Sequence, residues 1–381
     1  MILESFLDAK PLYYDEIDYT RMPRVYEKIK QHFKDVKIVH IIGTNGKGTT
    51  GRFLASALHA NGYKTGHFTS PHILVFNERI WLDGNNISHE NLQKSHEKLL
   101  TLLSFEDASS LSYFEYTTFL AMIAFDGCDY IVLEAGLGGE HDATAVFDKI
   151  LTLVTPIDMD HEAFLGNTIT KIATTKLSAI QNNAILGFQK NEDVYQVAQK
   201  LALKNTLTIY HVEDFIQELD TLKIQNISGQ LFLPPYLRDN LSLAISALKF
   251  LDIQYAEHNF KNSKLFGRLS KISENVLIDV GHNALAASSI FTALIGKKYI
   301  LIYNSYKDKN YKKILQILKP IIEHVEIIAI DEKRIVSREL LEAVLDELDI
   351  KYIPFEILDT QKKYLVFGSF SVVEKFMKQY S

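Results

Sequence analysis

The chain carries a single cysteine, Cys128, among 381 residues. One thiol can close no intrachain disulfide and can build no cysteine-based zinc cluster, a usage that fits a reducing compartment. Long apolar runs are missing as well. No stretch reaches the ~18–20 residues that a membrane span needs, and the opening MILESFLDAKPLYYDEID lacks the basic start and apolar run of a signal peptide. Basic excess is also absent: 41 Lys and Arg against 47 Asp and Glu leave a net charge of −6. That balance disfavours a nucleic-acid scaffold, whose footprint is a basic domain. Together the absences predict a soluble cytoplasmic chain that engages neither membrane nor nucleic acid.

What is present is a globular composition, 47% apolar and 23% charged, over a length that suggests two domains. Short β-branched runs alternate with helical patterns. Strand-like segments fall at 36–42, 130–133, 150–154, 276–279, 299–303, 325–330 and 364–367, apolar on both faces, which reads as parallel α/β. After Gly267-Arg268 the alternation is clearest. Helices are expected over ALAASSIFTALIG, NYKKILQILKPII and SRELLEAVLDEL, the last with Ser337 as N-cap. The polar segment AEHNFKNSKLFG before this unit places a boundary near residue 260, giving domains 1–259 and 260–381.

The strongest local signal is VHIIGTNGKGTTGRFL. A buried strand feeds Gly43-Thr44-Asn45-Gly46-Lys47-Gly48-Thr49, and a helix starts at once, with Phe53, Leu54, Ala57 and Leu58 on one face and Gly62 placed to end it. Glycines let the backbone turn its N–H groups toward phosphate oxygens, and the helix N-terminus adds partial positive charge. Lys47 supplies a full charge near the β- and γ-phosphates, and Thr49 a hydroxyl for magnesium. The common G-x-x-x-x-G-K-[ST] spacing is not met, and no guanine-reading N-K-x-D occurs, which disfavours a GTPase switch.

A nucleotide-bound magnesium needs hard oxygen ligands, and in an open parallel sheet these lie just past the carboxyl ends of strands. Glu134 in YIVLEAGLGGEHDAT stands at such an end, as do Asp158, Asp160 and His161 in TLVTPIDMDHEAFLG. Ser70, Pro71 and His72 follow another short strand, and Asn77-Glu78-Arg79 come in the loop after them. In the tail, Asp279 and His282-Asn283 close the first strand.

The order and spacing of these pieces resemble the folylpolyglutamate synthase/dihydrofolate synthase family, a branch of the Mur ligases. The matching motifs are GTNGKGT (43–49), TSPH with F-x-ERI (69–80), FE-x-x-T (114–118), E-x-GLGG-x-x-DAT (134–144) and DH-x-x-x-LG-x-T (160–168). Lys176, Asn240, GR (267–268), D-x-x-HN (279–283), DK (308–309) and FGSF (367–370) complete the series. The resemblance implies an α/β fold, a P-loop ATPase domain of Mur ligase type followed by a smaller Rossmann-like C-terminal domain. It implies an ATP- and magnesium-dependent ligase that adds L-glutamate, through an acyl phosphate, to dihydropteroate, to the γ-carboxylate of reduced folates, or to both.

By the same resemblance, ATP is held by Gly43, Thr44, Asn45, Gly46, Lys47, Gly48, Thr49 and Thr50, with Asn240, Arg268, Asp279 and His282. Two Mg2+ sites are implied, one on Thr49, Ser70 and Glu134, the other on Glu134, His161 and a carbamylated Lys176. Lys47, Glu134, His161 and Lys176 are the implied catalytic set, and Ser70, Pro71, His72 and Asp142 the implied substrate contacts. The implied partners are small molecules only (pterin or folate, L-glutamate, ATP), handled by a monomer. Departures from the family pattern fall at Glu140, Ala145, 175–178, Tyr236-Leu237 and Ala284. The competing readings are a cell-wall Mur ligase, an inactive ATP-binding regulatory protein and a P-loop kinase.

Overall fold

The structure, a computed structural model, describes residues 2–10, 18–33 and 36–380. The chain forms two compact units, Met1–Leu231 with Asp239–Ser263, and Phe232–Arg238 with Lys264–Ser381. The short segment Phe232–Arg238 belongs with the second unit although it precedes part of the first, a crossing that a boundary drawn along the sequence does not anticipate.

The first unit is built on an eight-stranded sheet of β1 (Lys37–Ile42), β2 (Thr65–Phe68), β3 (Ile80–Leu82), β4 (Asn85–Asn86), β5 (Tyr130–Glu134), β6 (Leu151–Val154), β7 (Asn183–Leu186) and β8 (Thr208–His211). Their order is β4-β3-β2-β5-β1-β6-β7-β8. The six strands from β2 to β8 are parallel, and β3 and β4 add an antiparallel edge. β1 sits centrally with Ile38 to Ile42 buried, as expected of a parallel strand covered on both faces. The helix Lys47–Ala60 that follows is buried continuously from Gly48 to Leu58, so it is an interior helix and not the one-faced element its pattern suggests. One apolar cluster gathers Met22, Phe68, Phe119, Leu133 and Phe147, and another gathers Ile42, Val154, Ile172, Leu177 and Leu186.

The second unit has a six-stranded sheet of β9 (Ser270–Ser273), β10 (Val276–Asp279), β11 (Tyr299–Tyr303), β12 (Ile322–Ile327), β13 (Tyr352–Pro354) and β14 (Tyr364–Phe367), ordered β13-β12-β11-β14-β10-β9. It is parallel except for β9, which pairs antiparallel with β10. The fold is therefore the two-unit α/β architecture expected. A second local expectation fails: the helix expected over NYKKILQILKPII ends at Leu318, and β12 runs over Ile322–Ile327 in place of 325–330. Pro320 has no N–H and cannot extend the α-helix, so the chain tightens into a 3₁₀ turn at Lys319–Ile321 and enters the strand early. Among the described residues no helix is long and apolar enough to cross a membrane.

Candidate active site

Because β2, β5, β1 and β6 run parallel and adjacent, the residues just past their carboxyl ends come to one end of the sheet. These are Thr69-Ser70, Glu134, the loop Gly43–Gly46 and the segment 155–161. The chain leaves β1 toward β2 on one side and later returns to β6 on the other, so the loop after β1 lies at the point where strand order reverses. Open α/β sheets bind ligands at such points.

The loop is shaped by two close approaches. Gly43 has φ +135°, and a Cβ there would lie 2.1 Å from Thr155 Oγ1. Gly46 has φ +93°, and a Cβ there would lie 2.5 Å from Asn240 Oδ1. Only glycine meets both conditions. The amides of Thr44 and Asn45 donate to the Pro156 carbonyl at 2.9 and 3.3 Å, and Thr44 Oγ1 exchanges hydrogen bonds with the Asp158 backbone at 3.1 Å. Two of the loop amides thus anchor it to the segment after β6 and are not turned toward a ligand, a correction to the simplest reading of the motif. Lys47 Nζ curls back to the carbonyls of Gly43 (3.3 Å) and Thr44 (3.2 Å).

At the head of the helix the hydroxyls of Thr49 and Thr50 are buried and have no hydrogen-bond partner among the described residues. A buried hydroxyl left unmatched is costly in a structural position, and it suits one that meets a ligand oxygen or a hard cation. The other oxygen donor is close to its expected place. Glu134 is buried at the end of β5, where its Oε2 accepts the Thr69 hydroxyl and the Ser70 amide, the latter at 3.3 Å. Thr69 is a site residue that sequence reasoning passed over, although TSPH contains it. Among the described residues no group of three or more His, Cys, Asp or Glu is gathered as a metal cluster. The set here of hydroxyls and one carboxylate is nonetheless a hard-oxygen set, and it fits magnesium with phosphate oxygens completing the shell.

Lys176, near the end of the helix Ile169–Leu177, is buried, with Nζ 3.0 Å from the Gly43 carbonyl and 2.5 Å from that of Leu137. Burial, reinforced by the charge of Lys47 and opposed by Asp160 and Asp142, pushes its amine down to about 7. His161 follows β6 in a left-handed conformation, φ 51°, and its amide donates to Asp160 Oδ1 at 2.9 Å. Asp142 is engaged inside its own loop: Oδ2 accepts the Gly138 amide at 2.9 Å, and Oδ1 accepts the amide and the hydroxyl of Thr144 at 3.0 and 2.6 Å.

After the cis Ser70–Pro71 bond, His72 Nδ1 accepts from Arg79 Nε at 2.8 Å. Glu78 accepts the amides of Ile73, Leu74 and Val75 at 2.7, 2.8 and 3.0 Å, so the acidic member of F-x-ERI builds the loop. Sequence reasoning also missed Gln189, buried after β7. It bonds the Ile157 amide at 2.8 Å and the Gly187 and Thr155 carbonyls at 3.0 and 3.3 Å, and so joins two of the loops at this end of the sheet.

In the second unit, Arg268, Asp279 and His282 gather at the carboxyl end of β10. The Asp279 carboxylate accepts the Leu269 and Gly281 amides, both at 2.8 Å, and the Tyr236 hydroxyl at 3.1 Å. Burial raises its pKa, against the nearby Arg268 charge. The Arg268 guanidinium lies 5.4 Å from the Phe370 ring centre. Asn283 caps the helix Ala284–Leu294 through the Ala286 amide at 2.9 Å. His282 Nδ1 lies 3.2 Å from the Val280 carbonyl.

Fold and site together define a two-unit α/β protein with a glycine-rich loop at the switch point of its first sheet. No family model matches the chain. It is 30% identical over 365 residues to the dihydrofolate synthase/folylpolyglutamate synthase of Buchnera aphidicola subsp. Schizaphis graminum, covering 88% of this chain and 86% of that one. The crystal structure of Helicobacter pylori folylpolyglutamate synthetase superposes with a TM-score of 0.80 at 38% identity, covering 99% and 97% of the two chains. The bifunctional folylpolyglutamate synthase/dihydrofolate synthase of Yersinia pestis, solved with AMPPNP and Mn, shares the fold at a TM-score of 0.80 and 23% identity, over 99% and 97%. The chain belongs to the dihydrofolate synthase/folylpolyglutamate synthase family, whose members are ATP-dependent ligases.

Proposed function

We propose that this chain joins L-glutamate to a pterin-bearing carboxylic acid at the expense of ATP, acting on dihydropteroate, on the γ-carboxylate of reduced folates, or on both. The observation that carries this is the head of the helix Lys47–Ala60. There the unpartnered buried hydroxyls of Thr49 and Thr50 stand with Lys47, on a chain of this family. In the reaction a carboxylate oxygen of the acceptor attacks the γ-phosphorus of ATP, and ADP leaves. The glutamate amine then attacks the carbonyl carbon of the acyl phosphate, phosphate leaves, and the amine gives up a proton. The protein's part is to position the reactants and to offset charge on the phosphoryl oxygens.

In this reading the loop Gly43 to Thr50 binds ATP, with Lys47 balancing the phosphate charge, and Asn240, Arg268, Asp279 and His282 serve the nucleotide. Asp279 does so by fixing the Leu269 and Gly281 backbone. Magnesium would be held by Thr49, Ser70 and Glu134, and a second ion by Glu134, His161 and Lys176. When bound, these ions supply Lewis-acid neutralisation of phosphoryl charge. Ser70, Pro71, His72 and Asp142 receive the acceptor acid. Carbamylation of Lys176 requires a neutral amine, and an amine brought down to about 7 by burial and by Lys47 supports it. The protein is read as a cytoplasmic monomer that handles small molecules and no nucleic acid.

The test is phosphate release from MgATP with dihydropteroate or tetrahydrofolate, each with and without glutamate. The reading requires glutamate-dependent release with at least one pterin acid. Release with neither refutes it.

A further inference from the structure

His40 lies mid-strand in β1, fully buried, three residues before the phosphate loop. Its Nε2 is 2.8 Å from Thr144 Oγ1. The single hydrogen of that hydroxyl is directed at Asp142 Oδ1, 2.6 Å away. Toward His40 the hydroxyl can therefore only accept, which places the imidazole hydrogen on Nε2 and leaves Nδ1 bare. Nδ1 is buried without a partner among the described residues, so a hydrogen there would be an orphaned donor. Burial, with the Lys149 charge second, keeps the ring well below its ordinary pKa and hence neutral.

The chain of bonds continues outward. Asp142 uses both oxygens to hold the amides of Gly138 and Thr144, and its own amide donates to the Gly139 carbonyl at 3.2 Å. Gly138 and Gly139 form a turn at φ 85° and 108°. Next to them, the Leu137 carbonyl accepts from Lys176, whose Nζ also reaches the Gly43 carbonyl. The glycine turn is thus strapped to β1 and its loop twice, once by Lys176 and once by the line His40–Thr144–Asp142.

We propose that His40 is a positioning residue for the ligase reaction: its Nε2–H, relayed by the Thr144 hydroxyl, sets the Asp142 carboxylate and with it the Leu137–Gly139 turn beside the phosphate loop. An apolar β-branched side chain would fill this position of a buried parallel strand with no polar group to satisfy. The histidine instead forms the one outward bond that completes the line. The kinetic part of this inference rests on the proposed ligase activity, and the structural part does not.

The test uses the full-length protein. His40→Leu removes the donor, Thr144→Val breaks the same line one link on, and His40→Gln keeps an N–H near the place of Nε2. His40→Leu and Thr144→Val should each lower kcat for glutamate-dependent phosphate release by about tenfold or more. The double variant should be no worse than either alone, because one line is broken once. His40→Gln should recover most of the loss. ATP affinity, read by equilibrium binding without the acceptor acid, should stay at the wild-type value throughout. Nitrogen-15 NMR of the imidazole at pH 7 should show a protonated Nε2 and a bare Nδ1.

Losses that multiply in the double variant, wild-type kcat in His40→Leu, or an Nδ1–H or doubly protonated ring would overturn the proposal. Should His40→Leu fail to fold, the Gln and Val variants and the tautomer measurement still decide. If the wild-type protein itself shows no glutamate-dependent release, it is the ligase reading that fails, and the tautomer measurement still judges the relay.

Discussion

Lys176 holds the carbonyl oxygen of Gly43 at 3.0 Å, so a helix far along the chain reaches back to the first residue of the phosphate loop. Its Nζ also bonds Leu137, and it is buried with its amine brought down to about 7. A carbamate keeps one N–H, so one of these two carbonyl contacts can persist when the group is modified. Enzyme freed of dissolved carbon dioxide should lose activity and regain it with bicarbonate, and labelled bicarbonate should give a carbamate resonance absent from Lys176→Met. Activity indifferent to bicarbonate, with no such resonance, removes the carbamate from the account.

Thr49 should separate stability from activity. Its buried hydroxyl has no partner among the described residues, so Thr49→Val deletes no bond and keeps the volume. Thermal or denaturant unfolding should move by less than about 0.5 kcal/mol or shift toward greater stability. Activity with MgATP should fall by about two orders of magnitude, as for the loss of one group that meets developing charge. A variant that unfolds easily yet retains its kcat would show that the hydroxyl is structural.

Gly46→Ala faces two costs at once, a left-handed φ of +93° and a Cβ 2.5 Å from Asn240 Oδ1. It should destabilise by about 1–3 kcal/mol and weaken ATP binding. Adding Asn240→Ala relieves the clash and leaves the φ strain, so it should restore only part of the stability. Full recovery in the double variant would mean that the backbone strain is negligible.

Lys149 gives a signed pH dependence. Its Nζ donates to the Ala145 carbonyl at 2.6 Å in a buried setting, and desolvation lowers its pKa from 10.5 to about 8. Below about pH 8 the amine is protonated in both states and its burial penalty is complete. Between there and 10.5 the folded protein binds fewer protons, so this group raises stability with pH, at about 1.4 kcal/mol per unit. Lys149→Met should lack that contribution, and the difference between variant and wild type should shrink over this range. A difference independent of pH contradicts the assignment.

Cys128 offers a single-site check, since burial, with the Asp83 and Asp129 charges, pushes its thiol up to about 12. A thiol reagent at pH 8 should react far more slowly with the folded chain than with the chain in denaturant, where the ordinary thiol pKa returns. Equal rates would place the thiol at the surface.

Much of the site was legible because backbone chemistry forces it. A strand running into Gly43-Thr-Asn-Gly46-Lys47 leaves few foldings, and the parallel strands carry apolar side chains on both faces. β7 and β8 carry little sequence signal, because Asn183–Leu186 and Thr208–His211 are four residues each and the latter is only half-buried. Lys176 carries no local pattern in ITKIATTKL and entered only through resemblance, since its burial is set by contacts 39 and 133 residues away. Asp142 and Asp279 each hold loop amides, a use of Asp that the type of residue alone does not reveal. In sequence, His40 is one polar residue in a largely apolar strand. Its meaning depends on Thr144, 104 residues later.

The most direct measurement is the mass of the acceptor acid after incubation with the enzyme, MgATP and L-glutamate, read alongside the phosphate released. The account predicts an acceptor heavier by one glutamyl residue, with one phosphate released for each amide formed. Phosphate released, or transferred to the acceptor, with no glutamyl product would contradict it.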